Sequence, residues 1–190
     1  MFEQTLFEIV SATLFALALI HGIRRYNPRR LLIALAIIAV IVVAEENVVM
    51  MLTNNYAYYG YHLWVGRLPV AIALAWLVVA YLGFQLSVVV KSRLEIFLWR
   101  GKHSNSKSVR VVKSTRSLLP SLLGALIASS IDLVLEPAAY YWGLWVWHPT
   151  VYTPVSYFNA PIFNCIGWFL FTLIGVLILS KMCTCHSRVP

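Results

Sequence analysis

Apolar residues fill this chain in runs too long for the strands or amphipathic helices of a soluble domain. Five such stretches follow one another, at 2–23, 30–52, 68–90, 117–136 and 159–181. Each is close to the roughly 20 residues that a helix needs to cross a hydrocarbon core. Polar residues gather between the runs, and only helices or closed barrels satisfy their backbone groups inside lipid. The pattern predicts an all-α polytopic bundle of about five transmembrane helices, one integral membrane domain over residues 1–190. Prolines punctuate it. Pro137 is expected to end or bend the fourth helix just after Glu136. Pro69 and Pro161 suit the first turns of the third and fifth helices, and Asn159 suits the N-cap of the fifth. No internal repeat stands out.

Composition agrees with the pattern: 61% of residues are hydrophobic and 12% charged, against about 25% charged in soluble domains. The distribution of the 15 Lys and Arg adds a direction. Four (Arg24, Arg25, Arg29, Arg30) lie between the first and second helices, and eight between Lys91 and Arg116. Lys181 and Arg188 follow the fifth helix, and only Arg67 lies on the opposite side. The positive-inside rule then puts the N-terminus outside and the C-terminus in the cytoplasm, as in a multi-pass protein of the cell membrane. The net charge of +8 fits topology and anionic headgroups of membrane lipid. No nucleic-acid partner is expected, since no soluble domain presents a basic face. Glu3 and Glu8 stand where a signal peptide needs a basic region, so the first helix reads as retained. Three cysteines give no disulfide framework. The tail Cys183-Thr184-Cys185-His186 supplies at most three ligands, so a reduced or acylated tail is expected there and no metal.

The acids change the picture most. Of seven acidic residues, four (Glu45, Glu46, Asp132 and Glu136) fall inside the second and fourth runs. An acid at the centre of a membrane helix costs roughly 2.5–3.5 kcal/mol on insertion scales. Asp132 and Glu136 are one turn apart on one helix face. Glu45 and Asp132 both lie roughly 10 Å below the outer ends of their helices, counted at about 1.5 Å per residue. Asn54, Asn164 and two aromatic loops share that zone, so a polar pocket under an aromatic lid is expected in the outer half. Burial favours the neutral acid over the carboxylate, and the neutral form can act as a general acid. The inner halves, such as the run 31–43, look almost wholly apolar.

Three stretches resemble the membrane carotenoid hydratases, a family of carotenoid biosynthesis proteins that includes bisanhydrobacterioruberin hydratase and the γ-carotene hydroxylases. They are NNYAYYGYHLWVGRLPV (54–70), DLVLEPAAYYWGLWVW (132–147) and YFNAPIFNCIGWFL (157–170). The resemblance implies acid-catalysed addition of water to a terminal C=C of an acyclic carotenoid end group. The partners are then a lipophilic carotenoid and water, and no metal, nucleotide or redox cofactor is implied. From the chemistry, Asp132 is expected to donate the proton, Glu45 or Glu46 to orient and deprotonate water, and Glu136 to tune the pair. Asn164 and Asn54 would hold water. Tyr141, Trp142, Trp145 and Trp147 would line the cation site through their π faces, with Tyr58, Tyr61, Trp64 and Trp168 completing the substrate site. A carotenoid or isoprenoid cyclase or isomerase would start with the same protonation. A small proton-linked transporter or an assembly subunit is the reading of another class, and a homo-oligomer stays open because the fourth helix carries small residues that allow close approach.

Overall fold

The computed structural model describes residues 2–100, 109–148, 156–158 and 160–183. The expectations for Asn159 and for Thr184–His186 lie outside the described residues. Helices dominate: α1 (Phe2–Arg25), α2 (Pro28–Thr53), α3 (Val70–Arg100), α4 (Val109–Ser129), α5 (Asp132–Trp142) and α6 (Ile162–Cys183). Short strands join them: β1 (Tyr56–Tyr58), β2 (Trp64–Val65), β3 (Leu68–Pro69), β4 (Trp145–Trp147), β5 (Ser156–Tyr157) and β6 (Ala160–Pro161). Among the described residues five helical spans are long and apolar enough to cross a membrane, α4 and α5 together forming one of them, Leu118–Trp142. The fold is thus an all-α polytopic bundle with a small β cap. The cap lies at the aromatic end, where α1 begins. Arg24, Arg25, Arg29, Arg30, Lys91 and Lys181 mark the opposite, basic end.

Local chemistry sets the helix ends. Asn27 caps α2, its Oδ1 accepting from the Arg30 N–H at 3.2 Å, with Pro28 at the first turn where its missing N–H costs nothing. Asn54 closes α2 in the left-handed conformation (φ 48°), its N–H donating to the Met50 carbonyl. Pro69 and Pro161 do not enter helices. Each ends a short strand immediately before α3 and α6. The third helix runs further than its apolar pattern, to Arg100.

The fourth span breaks where the sequence does not advertise it. Pro137 was expected to end the helix, yet α5 continues through it to Trp142. A proline leaves the carbonyl four residues back without its helical donor. That carbonyl, on Leu133, accepts from the Tyr157 hydroxyl at 3.1 Å, so the helix survives. The break comes earlier, at Ser130 and Ile131. The hydroxyl of Ser129 donates to the Leu126 carbonyl at 3.2 Å and that of Ser130 to the Ile127 carbonyl at 2.6 Å. Such side-chain bonds compete with the backbone ladder and bend helices. A new helix starts at Asp132, directly behind the bend.

The chain passes twice through one arrangement: a helix, a strand, a two-residue hairpin and a second helix. The first pass is α2, β1, β2–β3 and α3. The second is α4–α5, β4, β5–β6 and α6. The hairpins match at a constant offset of 92 residues, Trp64 to Ser156 (156 − 64) and Pro69 to Pro161 (161 − 69). Gly66 and Phe158, again 92 apart, both take positive φ in the turn, at 66° and 49°. The same offset carries Trp76 onto Trp168 and Gly83 onto Gly175. The two tryptophans stack face to face at 4.0 Å between centroids. The helix terminators Asn54 and Gly143 (143 − 54 = 89) are both left-handed. β1 pairs with β4 antiparallel about Ala57 and Val146. This internal duplication, with a pseudo-two-fold axis between β1 and β4 and between the stacked tryptophans, corrects the expectation that no repeat is present. α1 stands outside it, packed against α3 and α2, and makes the two sides of the bundle different.

Candidate active site

Each half of the duplication contributes one buried glutamate and the aromatic donors that hold it. In the first half, α2 buries Glu46 to 7% exposure. Its Oε2 accepts from the Tyr56 hydroxyl and from Tyr58 at 3.4 Å, and its Oε1 from the Trp76 indole N–H at 3.0 Å. In the second half, α5 buries Glu136 to 2%. Its Oε2 accepts from the indoles of Trp145 and Trp147, at 3.2 and 3.1 Å. The amide of Asn164, on α6, donates to Glu136 Oε1 at 2.6 Å and to Asp132 Oδ2 at 3.3 Å. Asp132 is 1% exposed, and its Oδ1 has no hydrogen-bond partner among the described residues.

The strands β1 and β4 roof this arrangement. Tyr56 and Trp147 lie 4.8 Å apart between ring centroids, and Tyr58 meets Trp145 edge-on at 6.3 Å. Below the roof both glutamates line one cavity of about 30 Å³, floored by Trp76 and Trp168. That is room enough for ordered water. On the α2–α6 side a larger pocket of about 270 Å³ adjoins it, sharing Glu46, Trp76 and Asn164 and adding Glu45 and Asn55. On the α1 side an apolar groove adjoins it, sharing Phe7, Ala75 and Leu135.

Not every expected site residue meets here. The structure brings together Asp132, Glu136, Glu46, Tyr58, Trp145, Trp147, Asn164 and Trp168. Of the adjacent acids Glu45 and Glu46, Glu46 lines the cavity and Glu45 lines the larger pocket beside it. Tyr61 is buried against Phe7 and Tyr58, a layer behind the roof. Trp64 packs edge-on to Tyr61 in the β2–β3 hairpin and donates to the Tyr61 carbonyl. Three residues lie away from the acids. Asn54 is exposed as a helix terminator. Tyr141 is 73% exposed and packs on Tyr140 and Phe158. Trp142 lines the apolar groove. A glycine turn at 143 separates them from β4, so "YYW" and "WVW" point to different places. Arg67, the cation of the β2–β3 hairpin, donates to the Met50 carbonyl at 3.4 Å.

Phe7, Tyr56, Ile72, Trp76 and Leu135 line the cavity without having been singled out in the sequence. For Trp76 a signal existed. Pro69-Trp76-Gly83 and Pro161-Trp168-Gly175 repeat the same spacing.

A family model described as "Carotenoid biosynthesis protein" matches residues 4–188. The chain belongs to that family. No curated protein and no solved structure matches it. The matched span contains every residue of the acid cluster and its roof. Membership in the carotenoid biosynthesis family gives the protein an enzymatic role in that pathway, and the five apolar spans place this member in a membrane.

The roof makes a prediction of its own. Burial pushes the phenols of Tyr56, Tyr58 and Tyr61 above the ordinary tyrosine value, and the charge of Glu46 adds to this for the first two. Their neutral forms therefore belong to the folded protein. Their contribution to stability is complete below the unfolded-chain value of about 10 and is lost as pH rises beyond it. In a spectrophotometric titration these three of the ten tyrosines are expected to ionise only as the protein unfolds. Ionisation of all three near pH 10 in the intact fold would contradict the buried roof.

Proposed function

We propose that this carotenoid biosynthesis protein is a hydratase that adds water across a terminal C=C of an acyclic carotenoid. What supports the reading is the small cavity lined by both Glu136 and Glu46, which adjoins an apolar groove and a polar pocket. Asp132 and Glu136, one turn apart and bridged by Asn164, act as an acid pair holding one proton, because two adjacent buried carboxylates repel. Glu136 touches the cavity and is the catalytic residue that delivers the proton. Asp132, behind it, is the positioning residue and proton store. This moves the donor from Asp132, the choice from spacing alone, to its neighbour.

The atoms balance without any net oxidation. The proton forms a C–H bond at the less substituted carbon, and the π pair leaves a tertiary cation at the other. The faces of Trp76, Trp168, Trp145 and Trp147 lower its energy, by about 2 kcal/mol or more for a desolvated contact. Water from the Glu45–Asn55 pocket forms the C–O bond and gives its extra proton to Glu46. That proton returns through the cavity to the acid pair, so each turnover consumes one water and regenerates the enzyme.

The test is expression in cells that accumulate an acyclic carotenoid, followed by mass spectrometry. A product heavier by one water, its oxygen drawn from isotopically labelled water, is the expected result. A product of unchanged mass would overturn hydration in favour of cyclisation or isomerisation.

A further inference from the structure

A further pocket lies at the basic end of the bundle, away from the acid cluster. It has a volume of about 350 Å³ and opens between α3, α4 and α6. α3 lends it Ser87, Val88 and Lys91, α4 lends it Leu118, and α6 lends it Leu177 and Lys181. Its place follows from the helix crossing next to it. Gly83 and Gly124 bring α3 and α4 so close that a Cβ on Gly124 would meet the Gly83 carbonyl oxygen and the Ser87 backbone nitrogen. One turn nearer the basic end the pocket opens, with Ser87 and Ser121 buried beside it. These serines lie in the inner halves of the helices, which were expected to be almost wholly apolar.

All three walls are ends of membrane spans. Lys91 lies in the last turn of the span Val70–Leu94, Leu118 opens the span Leu118–Trp142, and Lys181 lies in the last turn of the span Asn164–Cys183. The two lysines therefore stand where hydrocarbon gives way to headgroups. Beside them the wall is apolar and outward-facing, Leu118 being 49% exposed and Leu177 39%. No carboxylate among the described residues lines the pocket. The Ser87 hydroxyl is spent on the Phe84 carbonyl, at 2.7 Å. What remains is the positive charge of two ammonium groups from different helices.

Two like charges at one recess repel, and an anion between them turns that repulsion into attraction. Topology alone asks only that lysines lie somewhere at this end. Here two of them, on separate helices, line one recess. A lysine ammonium binds phosphate as a point charge. A free phosphate would use the cations and leave the apolar wall without a partner. A phospholipid uses both.

We infer that this pocket binds the phosphate of an anionic phospholipid between Lys91 and Lys181, with an acyl chain laid along Leu118 and Leu177. Such a lipid takes no part in chemistry at Glu136. It fills the gap that the Gly83–Gly124 crossing leaves and ties α3 to α6, as a structural ligand of the bundle.

The test reads binding and stability. The full chain in detergent is titrated with phosphatidylglycerol or phosphatidylcholine and bound lipid is counted by native mass spectrometry. In parallel, Tm is measured in nanodiscs of phosphatidylcholine with and without phosphatidylglycerol. One phosphatidylglycerol is expected to bind about 30-fold more tightly than phosphatidylcholine, from about fivefold for each lysine near the headgroups, and Tm is expected to rise in the mixed discs. Lys91→Gln and Lys181→Gln each cut the preference about fivefold, and together they remove it. The double change to arginine keeps it. Arg24→Gln with Arg29→Gln, which removes exposed cations outside the pocket, leaves it unchanged. No preference in the wild type would overturn the inference. A preference that survives loss of both lysines, or falls as much without Arg24 and Arg29, would overturn the site and leave a diffuse attraction of the basic end for anionic lipid. A rise in Tm produced by inorganic phosphate in phosphatidylcholine discs would overturn the lipid and leave a free-phosphate site.

Discussion

Glu136→Gln is expected to abolish hydration while leaving the protein folded. The amide has the shape of the acid, and its oxygen can still accept from the Trp145 and Trp147 indoles that hold Glu136. It cannot carry a proton to an alkene. General acid catalysis by a positioned side chain contributes about 10²–10⁴-fold, so product in cells should fall below detection. Asp132→Asn leaves Glu136 facing the cavity but removes its proton store, and a smaller loss is expected. Glu46→Gln keeps an acceptor for the Trp76 indole, turns the Tyr56 contact into one in which the amide donates, and removes the base, so the cation should persist long enough to lose a proton elsewhere. Alkene isomers would then appear in place of the hydrated product. The informative failure is a Glu136→Gln protein with wild-type conversion. Delivery through Glu136 would then be wrong, and the Asp132 carboxyl would have to reach the alkene directly.

How far these roles could be read from the sequence depends on what kind of information each needs. The five spans follow from apolar run length, which is a one-dimensional quantity. The four membrane acids follow from the same count, because carboxyls stand out in such a background. What run length does not carry is direction. Glu45 and Glu46 are neighbours about 100° apart on a helix, and only the packing of α2 against α3 and α6 decides that Glu46 meets Trp76. Asn54 reads as a water ligand by depth, yet it is spent on ending α2 with a left-handed turn. Tyr141 sits four residues from Trp145 in the chain, but Gly143 turns the backbone between them. The break at Ser130 was hidden because Pro137 offered a stronger local signal, one that Tyr157 neutralises from a distant strand. The duplication left only widely spaced identities between its halves, Pro69, Trp76 and Gly83 against Pro161, Trp168 and Gly175. Those positions are held by geometry: a helix start, a stack on the pseudo-axis and a close helix crossing. Most of the intervening positions need only be hydrophobic, Asn164 being an exception.

That crossing sets up the largest expected effect on stability. A side chain at Gly124 would drive its Cβ into the Gly83 carbonyl oxygen, and would lie 2.8 Å from the Ser87 backbone N and 3.0 Å from Ser87 Cβ. Two of these three obstacles are α3 backbone, which no rotamer change can move aside. Gly83 is less tight, its added Cβ lying 2.8 Å from a side-chain methyl of Val176 on α6. Within a bilayer the lipid is as apolar as the side chains, so helix association relies on close packing of small residues rather than on expulsion of water. Gly124→Leu must therefore push α4 away from α3. Overpacking of this kind costs about 1–3 kcal/mol, and for a chain of this size a fall in Tm on the order of 5–10 °C follows. Because α4 leads directly into α5, the displacement also carries Asp132 and Glu136 away from Asn164, and activity should fall with stability. The matched control is Gly167→Ala on α6, where an added carbon meets nothing within 4 Å. A helical glycine replaced by alanine there should hold or raise Tm. If Gly124→Leu melts with Gly167→Ala, the α3–α4 contact is not the close one described, and the placement of the acid pair loses its main support.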